Sequence, residues 1–156
     1  MAYTKLQGRG AINVYPADDI KIPSPASFRF SGVNDSVVTN QLVDSTRDFL
    51  AEGVRSNDVV YNTTTGAAAL VLEVTATALT LSADIFTATP QNYNIYAYDS
   101  FDGPVLYVGT GGNLSIVTTG GDAVVLTNIA NGVFIPVMVR SVQATGTTCS
   151  DIIAFW

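Results

Sequence analysis

Along the last third of the chain, Gly103 to Trp156, apolar residues come in short runs cut by turn signals. LYVG stops at GTGGN, LSIV at TTGGD and AVVL at NIANG. The longer run FIPVMVRSVQA stops at TGTT, and DIIAFW ends the chain. Each run has the length of a strand and is rich in Val, Ile, Leu or aromatics, and the breaks draw on Gly, Asn, Asp and Thr. Strands that succeed one another at hairpin distance predict an antiparallel all-β unit, a sandwich or small barrel. Asn131-Gly132 and Gly120-Gly121-Asp122 supply the positive φ angles of tight turns. In FIPVMVRSV, Ile135, Val137, Val139 and Ser141 are expected on one face. Phe134, Pro136, Met138, Arg140 and Val142 are expected on the other. Pro136 lacks a backbone donor and belongs at an edge, a strand start or a bulge. Arg140, the only basic residue of the C-terminal half, is expected on a solvated face.

Residues 28–97 have a different texture. LVDSTRDFLAEGV carries a helix signal: Ser45 and Asp48 as a capping box, Leu42 and Phe49 as a staple, and Gly53 at the C-terminus. Strand patterns follow in SNDVVYN, AAALVLEV, LTLSADIF and NYNIYAY. Leu70, Leu72 and Val74 alternate, as do Leu79 and Leu81, so one face of a small sheet is expected to be buried. About four strands plus one helix make a unit of marginal size, one expected to lean on its host or on partner subunits.

Before this stretch, residues 1–10 read as an arm and Ala11 to Val14 as a short strand. YPADDIKIPSPAS then places three prolines between Pro16 and Pro25. That density favours an extended path with few ladder hydrogen bonds, suited to lie along a neighbour's surface. Tyr15, Pro16, Ile20, Ile22, Pro23 and Pro25, with Arg140, are therefore the candidate partner-interface residues. Asp18-Asp19 reads as a solvated turn, since no further carboxylates stand near it to complete a metal site.

Composition narrows the function. Of the 156 residues 47% are apolar and only 13% charged, so a core can form while Thr, Ser, Asn and Gly must cover the surface. Low charge with high apolarity points to a surface partly covered by other subunits. The net charge of −6 argues against nucleic acid and against anionic membranes, which need clustered Lys and Arg. No apolar leader and no run of membrane-spanning length is seen. One cysteine, Cys149, allows no internal disulfide and is expected to be a buried, inert thiol.

No active site emerges. The chain has no histidine, which excludes Ser-His-Asp and Cys-His sites and imidazole-based zinc sites. VGTGGN lacks the GK[ST] of a P-loop and fails the GxGxxG spacing, so it reads as a turn. Asp44 and Asp48 suggest paired carboxylates, but helix capping accounts for them. Tyr93, Tyr96 and Tyr98 offer a sugar-stacking surface, or core and interface positions with wet hydroxyls. The N-x-[ST] matches at Asn34, Asn62 and Asn113 are expected by chance in a chain this rich in Thr and Asn. No catalytic residue, metal ligand or cofactor is assigned.

The C-terminal run GPVLYVGTGGNLSIVTTGGDAVVLTNI, with GVFIPVMVRSV, ATGTT and DIIAFW, resembles the small β-rich virion proteins of tailed phages and gene transfer agents. These are described as spike base or head decoration proteins. VYPADDIKIP, Val14 to Pro23, is similar to that family's opening, which normally passes directly to an LYVG-like strand. The family carries two basic residues where this chain has Val137-Met138-Val139-Arg140. The resemblance thus implies an insertion: a discontinuous β-sandwich domain from residues 1–27 plus 98–156, and an inserted small β-barrel-like domain at 28–97 that is similar to modules of cyanophage structural proteins. It implies no enzyme and no cofactor. It implies a capsid decoration, or cement, protein on the outer surface of the phage head, binding the major capsid protein as a homotrimer after assembly in the host cytoplasm. The alternative is a neck, tail or spike-base protein docking an adhesin.

Overall fold

A computed structural model of the protein describes residues 8–99 and 103–156. Among these residues the chain is all-β, with one turn of 3₁₀ helix at Pro25–Ser27. The strands are β1 (Ala11–Asn13), β2 (Phe28–Val33), β3 (Gln41–Val43), β4 (Val59–Asn62), β5 (Ala67–Val74), β6 (Ala78–Leu81) and β7 (Asn92–Tyr96). They continue with β8 (Val105–Thr110), β9 (Gly112–Thr118), β10 (Ala123–Ile129), β11 (Val133–Ile135), β12 (Val139–Val142) and β13 (Ser150–Phe155). The chain divides into two compact units. The described residues of one run through Ala26 and from Gly103 on; the other is Ser27–Asp99.

The first unit is a sandwich of two antiparallel sheets, ordered β1-β13-β8-β11 and β10-β9-β12. Leu106 and Val108 of β8, Leu114 and Ile116 of β9, and Ile152 and Ala154 of β13 meet in one buried core. Fully burying a Val, Leu or Ile side chain contributes about 1.5–3 kcal/mol before entropy is counted. The strands lie where the apolar runs predict them, but they do not pair in sequence. Only β9 and β10 form a hairpin, through a turn in which the Gly121 N–H donates to the Thr118 carbonyl and Gly121 takes φ +95°. The links β8–β9, β10–β11, β11–β12 and β12–β13 all change sheet.

Proline is the physical reason for one of these crossings. FIPVMVRSVQA is not a single strand. β11 ends at Ile135 on the edge of one sheet, and β12 begins at Val139 on the edge of the other, with Pro136 in the crossing between them. The expected alternation therefore fails after Ile135: Val137 is exposed and Val142 buried. A register shift between Val139 and Ser141 buries Ser141 beside Val142.

The second unit is one six-stranded sheet, ordered β2-β7-β4-β5-β6-β3, curled around Leu42, Phe49, Leu79, Phe86, Tyr93 and Ile95. It is not a closed barrel. A single bridge, Ser36 to Val43, links the chain past β2 with β3, and no ladder completes the ring.

Two local expectations are corrected here. On β5 the buried residues are Ala68, Ala69 and Val71, while Leu72 is half exposed. Leu72 is the extra residue of a bulge, since Val71 faces Leu81 and Glu73 faces Thr80. The bulge resets the phase, so Val74 returns to the core. Leu79 and Leu81 are buried, as their alternation predicts.

The helix expected around Ser45–Gly53 is absent; the segment forms consecutive turns. The caps exist, but they enclose a single turn. Asp48 rather than Ser45 is the N-cap, accepting from the Ala51 N–H at 3.0 Å. At the other end Val54 N–H reaches the Phe49 carbonyl and Gly53 N–H the Leu50 carbonyl, with Gly53 at φ +78°. This is a Schellman closure, and its hydrophobic partners Phe49 and Val54 are both buried. Stop and start signals five residues apart leave no helix to propagate.

Candidate functional site

Alternation on the β1-β13-β8-β11 sheet builds an apolar outer face. Leu106, Val108, Ile135, Ile152 and Ala154 point inward and are buried. Their neighbours Val105, Tyr107, Phe134, Ile153 and Phe155 therefore point outward. Register places Tyr107 opposite both Phe134 and Ile153, and Val105 opposite Phe155. The Tyr107 and Phe134 rings lie 5.1 Å apart, and the Phe134 and Phe155 rings 5.9 Å. Pairs of this kind add about 0.5–1.5 kcal/mol beyond the area they bury. Phe134 remains 60% exposed. Asp151, at the end of β13, accepts from the Thr110 hydroxyl at 2.7 Å. An exposed apolar face of this kind gains free energy when another apolar surface covers it.

The signal that could have found this face is that LYVG and DIIAFW are apolar at both parities, so each strand has two sides to cover. The aromatic cluster across β8, β11 and β13 was not anticipated from the sequence, since it depends on which strands pair.

The proline-rich segment lies along its own unit. The Ala17 N–H donates to the Val142 carbonyl at 3.0 Å, and the Ile22 N–H to the Arg140 carbonyl at 2.9 Å, so the segment covers the edge of β12. Ile22 belongs to the core and Pro23 is buried beside it, so neither is available to a partner; their place in the expected interface is corrected. The segment's two backbone bonds to β12 are the physical reason. Tyr15, Pro16, Ile20 and Pro25 are half-buried, and Arg140 is exposed. Asp18 and Asp19 form a turn. The Asp18 carboxylate accepts from the Thr145 hydroxyl at 2.7 Å and the Thr145 N–H at 2.9 Å. These bonds, the hydroxyl first, hold its pKa below the usual carboxylate value.

The polar candidates of the second unit are structural. Asp44 is buried. It accepts from the Tyr93 hydroxyl at 2.7 Å, the Thr46 hydroxyl at 2.6 Å and the Thr46 N–H at 3.0 Å. Burial first, then this bond to Asp44, pushes the Tyr93 phenol far above its ordinary pKa. Arg47 stacks over Phe30 with 4.8 Å to the ring centre, and pairs with Glu52 at 2.8 Å. Asp58 is buried and ties three segments, accepting from Arg29 Nε, Arg55 N–H and Tyr98 N–H.

The tyrosines do not make a sugar platform. Tyr93 and Tyr96 are buried, and Tyr98 alone of the three is exposed. Asn34 and Asn62 are buried with their amides bonded to loop backbone, so neither can carry a glycan. Cys149 is a buried free thiol, its pKa pushed up by burial. Among the described residues no group of three or more His, Cys, Asp or Glu could hold a metal ion. No helix among them is long and apolar enough to cross a membrane.

Comparison of the chain with protein-family models, with curated proteins and with solved structures finds no match.

Proposed function

We propose that this protein is a capsid decoration protein of a tailed phage, one with a cyanobacterial host, binding the outer surface of the major capsid lattice and stabilising the head. The observation that carries the reading is the outer face of the β1-β13-β8-β11 sheet. It is apolar and aromatic, free of charge at its centre, and contains no reacting group. A net charge of −6 keeps the free protein soluble, while the uncharged face supplies adhesion. Burial contributes about 25 cal/mol per Å² before the costs of association, so one such face gives a modest bond. Many copies on one lattice then act together.

The test is addition of purified protein to heads stripped of decoration. Saturable binding and greater resistance of the heads to heat or low salt are expected. Phe134→Asp should weaken the binding by tenfold or more, since it places a charge in the aromatic cluster, and each 1.4 kcal/mol is about tenfold. Heads that bind none of the protein would end the proposal. Copy number against the major capsid protein separates the neck, tail or spike-base alternative: hundreds per virion fit decoration, a dozen or fewer fit the alternative.

A further inference from the structure

The sandwich leaves one sheet edge bare. β10 spans seven residues, AVVLTNI, none of them charged and none proline. Its hydrogen bonds among the described residues run to β9 alone, so its other side presents backbone donors and acceptors without a strand. The opposite edge of the same sheet, β12, is covered by Ala17 and Ile22. β1, β3 and β11 are three residues each. β2 carries Arg29, and its Ser31 carbonyl accepts from Arg47. Natural edges are blunted by such devices. β10 has only a bulge between Leu126 and Ile129, with Asn128 at φ +54°, which leaves Ala123–Leu126 straight. Val124 and Leu126 face the core side, since they sit opposite Ile116 and Leu114, yet Val124 stays 40% exposed. Val125, on the other side, is 54% exposed.

We infer that β10 is a self-pairing edge: two copies of this chain join β10 to β10, antiparallel about a two-fold axis, into one six-stranded sheet. A row of unpaired backbone groups is a template for another extended strand. The uncharged, self-complementary strand selects a second copy, and charge sets its orientation. A chain of net charge −6 repels itself wherever its carboxylates meet, and Asp122 directly precedes β10. Parallel pairing would set the two Asp122 side by side. Antiparallel pairing centred on Val125 separates them by six residues, about 20 Å at ~3.4 Å per residue. That exceeds the Debye length of about 8 Å at physiological salt. The same register sets Val125 against its own copy and Val124 against Leu126, two apolar pairs, and Ala123 against Thr127. The symmetry gives a dimer, not the homotrimer that the family resemblance implied. The inference stands independently of the capsid reading, because it concerns the isolated chain.

The straight stretch is short, so association belongs at the weak end of specific interfaces. Sedimentation velocity of the full chain from about 5 to 500 µM should show a monomer passing to a dimer. Val125→Lys, which sets two ammonium groups face to face, should abolish the dimer while far-UV circular dichroism is unchanged. Val125→Cys should oxidise to a disulfide-linked dimer across the axis. Ser115→Cys, on the enclosed middle strand, should not. Should Val125→Lys fail to fold, the cysteine pair decides. A monomer throughout the range, a trimer, a dimer that survives Val125→Lys, or equal cross-linking of the two cysteine variants would each overturn the inference.

Discussion

Removing one oxygen atom tests how the inserted unit is held. Tyr93 is fully buried, and its hydroxyl donates to the buried Asp44 carboxylate at 2.7 Å. Tyr93→Phe keeps the ring and its packing against Phe49 and Phe86, so no cavity opens. What is lost is a hydrogen bond to a charged group, worth about 1.5–3 kcal/mol, with Asp44 Oδ2 left bare in the core. Asp44→Asn is the counterpart. Its Oδ1 still accepts from Thr46, and its new amide donates to the Tyr93 hydroxyl, which turns from donor to acceptor; the cost should stay near 1 kcal/mol. For a unit of this size about 2 kcal/mol corresponds to a fall in Tm of roughly 10 °C. Urea unfolding followed by far-UV circular dichroism measures both variants. Fluorescence of Trp156, the only tryptophan and packed against the core of the other unit, is the internal control. A loss below about 0.5 kcal/mol for Tyr93→Phe, or an equal loss for Asp44→Asn, would refute the assignment of this bond as a pin of the fold.

Other perturbations follow from single contacts. The folded pKa of Tyr93 is raised, so its contribution is complete below the ordinary tyrosine pKa of about 10 and is lost as pH rises beyond it; wild type should lose about 1.4 kcal/mol per pH unit there, a slope absent from Tyr93→Phe. The Asp18 pKa is lowered, so its contribution is present above the ordinary aspartate value and is lost as pH falls. Thr145→Val should therefore flatten the acid limb of the stability curve. Gly53→Ala should cost about 1 kcal/mol, because φ +78° is a left-handed backbone that only glycine adopts freely. Val71→Ala should cost about 2 kcal/mol or more while Leu72→Ser stays within about 0.5, the reverse of what unbroken alternation predicts. Denaturant midpoints decide both.

Strand positions were legible because burial on one side of a pleated chain writes a period of two into the sequence. Leu79 and Leu81 are both buried, and the apolar runs from LYVG to DIIAFW all contain strands. Pairing was not legible. LYVG and LSIV are separated by a glycine turn, as a hairpin would be, yet β8 and β9 go to different sheets. Gly111 turns the corner where the chain passes so close to the Ile129 carbonyl that a Cβ would collide with it. Bulges were equally silent, because the residue that slips out of register on β5, Leu72, is as apolar as its neighbours. The helix was not legible as absent because Ser45 and Asp48 both suit an N-cap, and only the folded chain shows that Asp48, five residues before Gly53, takes that role. The interface residues Ile22 and Pro23 were misjudged because a proline-rich path suits a sister subunit and the chain's own β12 equally well.

The scarcity of charge and the absence of α-helix among the described residues share one physical consequence. A chain of strands joined by long crossings has many loop amides and carbonyls with no ladder to enter, and buried ones must find partners. Here the partners are a few buried polar side chains in the inserted unit. Asn62 donates to the Ile85 carbonyl and the Gln91 side chain and accepts from the Thr64 and Thr65 amides. Asn34 accepts from the Gln91 N–H and donates to the Ala88 and Ser36 carbonyls. Asp44 and Asp58 do the same for the segments after β3 and before β4. Asn34 and Asn62 match the glycosylation pattern in the sequence and Asp44 suggests a catalytic carboxylate, yet all three are consumed holding loops. What remains on the outside for function is the material left over once the loops are satisfied: uncharged strand faces and one bare strand edge. Both proposals draw on those surfaces, the capsid reading on the uncharged outer face and the dimer on the bare edge of β10.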